Sequence, residues 1–219
     1  MRPLRTDAHW IATEADRSAV AELQAFYEAN PEYYEITHGH APAPDAALKG
    51  FDFRPPADMP YTALPMWLIR KRESGRVVGE VSVATDLLAP GVTHLGFFMV
   101  ATALQGTGFG AELHASYEAW AIWQGARWLR LGVVEAHRRA HRFWMRQGYA
   151  EVCQRPDYVL GDRSHTLRVM VKPLSSNSLD GYLAAVPRDR PLSAARPPEG
   201  TDAPPRGAAS ETSVGAVSS

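Results

Sequence analysis

The sequence predicts a mixed α/β fold, with a mostly antiparallel central sheet flanked by helices. Three observations predict it. Apolar runs of strand length come early in hairpin-like succession. Two later runs, Leu95–Val100 and Trp128–Val134, are each followed by a segment of helical periodicity. The last two runs again form a pair. The order is β-α-loop-β-β-β-α-β-α-β-β, which suits a mixed sheet rather than a doubly wound one.

His9–Thr13 reads as the first strand, and Asp16 is placed to cap the helix that follows. Val20, Leu23, Phe26 and Tyr27 share one helical face, and Pro31 ends that helix. The stretch from Pro31 to Pro60 reads as a long irregular segment, either a lid or binding loop or an ordinary surface connection, with Asp45 capping at most a short helix to Lys49. Pro65–Lys71 and Val77–Thr85 form a hairpin around Glu73–Arg76. Val77, Gly79, Val81 and Val83 fall on one face of its second strand, and Val78, Glu80, Ser82 and Ala84 on a more polar one. Val92–Val100 is the next strand. Phe109, Leu113, Tyr117 and Trp120 then mark a helix stopped by Gly125. Trp128–Val134, a helix from His137 to Gln147 stopped by Gly148, and strands Tyr149–Gln154 and His165–Val171 complete the pattern.

From Ser175 onward, prolines sit among Ser, Ala, Gly and Thr, with only Leu179, Tyr182, Leu183, Val186 and Leu192 to bury. The expectation is one domain over residues 1–174 and a disordered tail over 175–219.

Composition narrows the function classes. The chain has 219 residues, and 23 Lys+Arg against 24 Asp+Glu leave a formal charge of -1. That balance gives no global case for nucleic acid or a membrane surface. The single cysteine, Cys153, cannot form an internal disulfide and suits a reducing compartment. Met1–Asp7 lacks the apolar core of a secretory signal, and no apolar run approaches the roughly 20 residues of a membrane helix. A soluble cytoplasmic protein is expected.

The stretch carrying the chemistry is Leu95–Gly110: a buried strand, a loop, then Gln105-Gly106-Thr107-Gly108-Phe109-Gly110 at a helix start. Such a turn leaves main-chain N–H groups free for a phosphate and lets it approach closely. Gly106–Ala111 also fits a loose dinucleotide fingerprint, with Glu135 near the place of the ribose-binding acid. Ala101–Gln105 intervene after the strand and antiparallel strands precede, which disfavours a dinucleotide site. No Gly-Lys-Ser/Thr follows, so it is not a P-loop.

A second constellation follows at Val134–Tyr149. Together the two stretches resemble the GNAT superfamily of N-acetyltransferases. Gln105–Gly110 matches its Gln/Arg-x-x-Gly-x-Gly/Ala signature, and Ala140, Phe143, Trp144, Gly148 and Tyr149 match the later pattern. The resemblance is strong from Val92 to Val152, and the strand order extends it from His9 to Leu174. Asn30-Pro31-Glu32-Tyr33-Tyr34 is similar to one bacterial branch of small acetyltransferases.

That resemblance implies an acyl-CoA N-acyltransferase fold with acetyl-CoA held between splayed strands Leu95–Val100 and Trp128–Val134. Main-chain groups of Met99 and Val100 would hold the pantetheine arm. N–H groups of Gln105, Gly106, Thr107, Gly108, Phe109 and Gly110 would hold the pyrophosphate. The Val100 N–H would face the developing oxyanion. Phe143 and His137 would complete the cofactor site, although the family favours Asn where His137 stands.

The reaction implied is direct attack of a neutral amine on the acetyl carbon, which needs a base. Relatives carry an acid on the strand where this chain has Gly96. The candidates are His94, Glu80 and Glu135, with position beside the splay favouring Glu135. Relatives often place Tyr where Trp144 stands, and indole cannot protonate the leaving thiolate; Tyr149 or water would assist instead. Tyr33, Tyr34, His38 and His40 are the candidate acceptor contacts. No metal is expected: His137 and His141 are i, i+4 but lack a third ligand pattern. Arg138, Arg139, Arg142 and Arg146 read as a solvated face, with one Arg reaching the CoA 3′-phosphate, rather than a nucleic-acid surface. The partner expected is a small amine, with a homodimer as a further expectation. The alternative is a sensor of acyl-CoA without turnover.

Overall fold

The computed structural model describes Leu4 and residues 9–191. One seven-stranded sheet runs through it in the order β1-β2-β3-β4-β5-β7-β6. Its strands are β1 (Trp10–Glu14), β2 (Met66–Lys71), β3 (Val77–Ala84), β4 (Val92–Val100), β5 (Trp128–Val134), β6 (Ala150–Leu160) and β7 (Arg163–Pro173). Every neighbouring pair is antiparallel except β4 and β5.

Helices cover both faces. On one face lie α4 (Phe109–Trp123) and α5 (Arg138–Arg146), whose Leu113, Tyr117, Ala140, Phe143 and Trp144 meet Leu95, Phe98, Leu131 and Val133. On the other lie α1 (Val20–Glu28), α2 (Glu32–Thr37) and α3 (Ala46–Asp52). There Leu23, Phe26, Tyr27, Tyr33 and Tyr34 pack with Leu68, Met99 and Val134.

Local chemistry sets the element ends. Asp16 accepts from the Ser18 N–H at 2.8 Å and caps the turn leading into α1. Gly125 and Gly148, at φ of 88° and 90°, end α4 and α5 in the left-handed region. Val20, Leu23, Phe26 and Tyr27 do mark a helix, of which the last three are buried.

The segment 31–60 is not one long loop. It contains α2 and α3, and Tyr33 and Tyr34 lie buried in a helix. Pro31 ends α1 and also sits at the N-cap of α2. Asn30 between them bridges elements: its amide donates to the Phe26 carbonyl, and its Oδ1 accepts from the Thr102 N–H at 2.8 Å. Asp45 stands at the N-cap of α3 but makes no side-chain cap bond; it pairs with Lys49 instead.

Two bulges re-aim β3 and β4. Ile69 faces Gly79 while Arg70 faces Val77, so Val78 is extra. Val78 therefore joins Val81 and Val83 in the core under α4 and α5, and Val77 turns to the α1 side, contrary to simple alternation. Between β3 and β4, Ser82 faces Phe97 and Val83 faces Leu95, which leaves Gly96 extra. His94 and Phe97 thereby turn to the cavity on the α1–α3 face, while Leu95 and Phe98 enter the opposite core.

The ordered domain does not stop at Leu174. Ser178 caps a further helix, α6 (Leu179–Ala185), by accepting from the Gly181 N–H. Tyr182 and Val186 pack with Trp128, Val92 and Val171 on the α1–α3 face of the sheet. Beyond α6, Asp189 is fully buried and pairs with Arg130 of β5 at 2.8 Å and with Arg155 at 2.6 Å. Leu192 and the rest of the proline-rich tail lie outside the described residues. Among the described residues no helix is long and apolar enough to cross a membrane.

Candidate functional site

The parallel pair β4–β5 opens as it runs. Val92–Leu95 pair with Trp128–Leu131, and no pairing follows. β4 stays paired with β3 to Val100, and β5 stays paired with β7 to Val134. The two strands therefore splay over their last residues, leaving an unpaired edge on each.

The register says which groups face the gap. Ala101 donates to the Val78 carbonyl at 2.9 Å, and Met99 stands opposite Glu80. Alternate residues of an antiparallel strand send their main-chain groups to opposite edges. The Met99 main chain thus points to β3, as does its carbonyl, which a Cβ on Gly79 would approach to 2.8 Å. Phe98 and Val100 point into the splay. Val100 and Phe98 thus turn their main-chain groups away from β3, and Met99, also expected at the cofactor, turns its own toward β3. The Val100 carbonyl accepts from Gln105 Nε2 at 3.3 Å, which ties the loop to the strand end.

A short 3-10 turn, Thr102–Leu104, leads to the glycine loop. Gly106 and Gly108 have φ of 80° and 96°, where a side chain is strained. Among the described residues their N–H groups have no main-chain acceptor, whereas those of Gln105 and Thr107 bond back to Thr102 and Leu104. Phe109 donates weakly to Thr107 Oγ1. Gly110 lies in the first turn of α4, so its value is small size rather than backbone freedom. A Cβ on Gly108 would meet nothing within 4 Å, and one on Gly106 would stand 4.0 Å from Arg139 Nη2. A cradle of open donors at a helix N-terminus with a guanidinium beside it fits a phosphate.

His137 caps α5, its Nδ1 accepting from the Ala140 N–H at 3.4 Å. The ring proton therefore sits on Nε2, a buried donor with no partner among the described residues. Burial, then the charge of Arg139, lowers its pKa to about 4, so the ring is neutral. Phe143 is a core residue, its ring 6.3 Å from Phe98 and 4.7 Å from Trp144.

On the α1–α3 face of the sheet lies a cavity of about 730 Å³. Tyr33, Tyr34, His38 and His40 all line it, together with Glu80 and His94. Glu80 is 1% exposed and accepts from Tyr27 Oη at 2.6 Å and Ser82 Oγ at 2.7 Å. Burial raises its pKa to about 7, against the opposing pull of those two hydrogen bonds. Burial, then the charges of His40 and His165, lowers the His38 pKa to about 4.

Glu135 does not join them. Its carboxylate is more than half exposed and is held by Arg168 at 2.7 Å. At the strand end beside the splay this side chain turns outward, away from the cavity. Tyr149 is also elsewhere: its hydroxyl lies 3.2 Å from His114 Nε2 in the core between α4 and α5. Among the described residues no group of His, Cys, Asp and Glu is arranged to hold a metal ion.

The parallel pair is splayed, a glycine loop opens α4, and a cavity with a buried carboxylate lies on the α1–α3 face. The family model for the acetyltransferase (GNAT) family matches residues 23–149, and the chain belongs to that family. Comparison with curated proteins finds no match. Solved structures share the fold. An acetyltransferase from Thermus thermophilus is 17% identical, with TM-score 0.59, over 79% of this chain and all of that one. A GCN5-related N-acetyltransferase from Kribbella flavida is 22% identical, with TM-score 0.56, over 76% and 98%. Spermidine N-acetyltransferase from Vibrio cholerae, in complex with CoA and spermine, is 12% identical, with TM-score 0.57, over 76% and 96%.

Proposed function

We propose that this protein transfers the acetyl group of acetyl-CoA to a primary amine, with Glu80 as the base. The observation that carries this is the buried Glu80 carboxylate in the cavity wall, one strand from the open edge of β4.

Each part of acetyl-CoA has a group suited to it. The pyrophosphate meets Gly106, Gly108 and the start of α4, with Arg139 adding positive charge. The pantetheine arm runs along the β4 edge, taking main-chain bonds from Phe98 and Val100. The unpartnered Nε2–H of His137 serves as a further donor there.

The acceptor occupies the cavity. Glu80, half-ionised near pH 7, takes a proton from the substrate ammonium, directly or through water. The neutral nitrogen attacks the acetyl carbon, and the Val100 N–H stabilises the oxyanion that forms. The attacking nitrogen then loses its second proton to water and the C–S bond breaks, giving the amide, CoA thiolate and a solvated proton. A thiol pKa of about 8.5 lets thiolate leave without a tyrosine acid, which matches Trp144 in that place.

The test is acetyl-CoA-dependent thiol release with a panel of amines. Release that depends on the amine supports the assignment. Tight acetyl-CoA binding with no amine-stimulated release refutes it and favours an acyl-CoA sensor.

A further inference from the structure

His94 carries a donor that the mechanism above does not use. It is 3% exposed, on β4, and is one of the residues lining the cavity. Its Nδ1 lies 3.2 Å from Arg130 Nη1. A guanidinium only donates, so Nδ1 accepts and the ring proton is fixed on Nε2. Among the described residues no group accepts from Nε2. A buried donor left unpaired in a cavity wall calls for an acceptor on the ligand.

The tautomer is held from behind. Arg130 Nε and Nη2 both donate to Asp189, whose carboxylate also accepts from Tyr182 Oη and Arg155. The segment around α6 thus fixes Arg130, and Arg130 in turn holds His94 Nδ1.

The position of His94 sets a length. Glu80 pairs with Met99, and Ala84 pairs with His94. The base and the His94 donor are therefore four β3 residues apart on one face, roughly 13 Å of strand. Charge narrows the class further. The cavity carries Lys49 and Arg54 beside Glu14 and Glu80, so it is not an acid-lined slot for a polycation. Lys49 pairs with Asp45, but Arg54 donates to the main-chain oxygens of Phe51 and Phe53.

We propose that His94 is a specificity-determining residue whose Nε2–H binds an oxygen at the far end of the acceptor, which is an extended amine bearing a terminal carboxylate. An α-amino acid, with its amine beside its carboxylate, is too short to reach both Glu80 and His94. The proposal rests on the acetyl-transfer assignment for the identity of the reacting nitrogen, but the binding contact stands without it.

The experiment compares medium-chain ω-amino acids, alkylamines of matched length, and alanine, using the full chain. Calorimetric binding and KM in thiol release are read for wild type, His94→Phe and His94→Gln, with folding checked by circular dichroism. The expected result is that wild type prefers ω-amino acids. His94→Phe should weaken them about tenfold with the alkylamines and acetyl-CoA unchanged, and His94→Gln, which restores a donor, should recover part of the loss. Preference for alkylamines or alanine in wild type, an equal loss for both series, or binding of neither series overturns it. His94-dependent binding of ω-amino acids without thiol release upholds this inference while refuting acetyl transfer.

Discussion

Replacing Glu80 with Gln separates the two roles that burial gives this carboxyl. The amide keeps the shape and an acceptor for Tyr27 Oη, but it cannot ionise. In the folded protein the carboxyl holds its proton to about pH 7, against 4.5 for an ordinary glutamate. That rise corresponds to roughly 3 kcal/mol of disfavoured ionisation. Between those two pH values the folded state binds more protons than the unfolded state, so stability falls as pH rises. The loss begins near pH 4.5 and is complete above about pH 7. Glu80→Gln escapes it. Urea midpoints at a series of pH values should therefore show the variant gaining on wild type by up to about 3 kcal/mol from pH 4.5 to pH 8. Over the same range wild-type kcat/KM should rise through pH 7, while the variant loses that limb and roughly 10²–10⁴ of its rate. Parallel stability curves, or a limb near pH 7 that persists in Glu80→Gln, would refute the assignment of Glu80 as a buried base.

Tyr27→Phe removes the hydroxyl that lowers the Glu80 pKa, so the kcat/KM limb should move to higher pH; no movement would mean that the bond does not tune the base. Gly108→Val places a β-branched residue at φ of 96° and should raise the acetyl-CoA KM by about 5- to 150-fold, from strain of about 1–3 kcal/mol, with the acceptor KM unchanged. Truncation after Leu174 leaves the buried Arg130 without Asp189 and should destabilise the protein by about 3–5 kcal/mol relative to truncation after Pro191, which keeps Asp189. Burial pushes the Asp189 pKa up, but the Arg130 charge and the bonds from Arg130, Tyr182 and Arg155 hold it below the usual carboxylate range. The contribution of this pair is thus present at neutral pH and lost only on strong acidification; equal melting of the two truncations at pH 7 would contradict it.

The strands, the two crossover helices and the glycine loop were legible because each rests on local chemistry. Phe109, Leu113, Tyr117 and Trp120 repeat at helical spacing, and Gly106 and Gly108 sit where φ is positive. The candidate acceptor residues were legible for a different reason. Tyr33, Tyr34, His38 and His40 are an aromatic and polar cluster, though helix α2 rather than a loop carries the first two. Composition hid α6. Leu179, Tyr182, Leu183 and Val186 stand at i, i+3, i+4 and i+7, the spacing of a buried helical face, among residues that suggest disorder. Partners far apart in sequence were not legible. Nothing near Arg130 announces Asp189, and nothing near Glu80 announces Tyr27. The bulge at Gly96, which turns His94 and Phe97 to the cavity, depends on strand register, which the alternation pattern alone does not give.

Mass spectrometry of amines incubated with acetyl-CoA and the full chain tests the central claim most directly. Appearance of the N-acetylated amine, dependent on the protein and lost in Glu80→Gln, is the result predicted. Calorimetric binding of acetyl-CoA with no acetylated product from any amine would contradict it, and would make this fold a receptor for the thioester rather than a catalyst of its transfer.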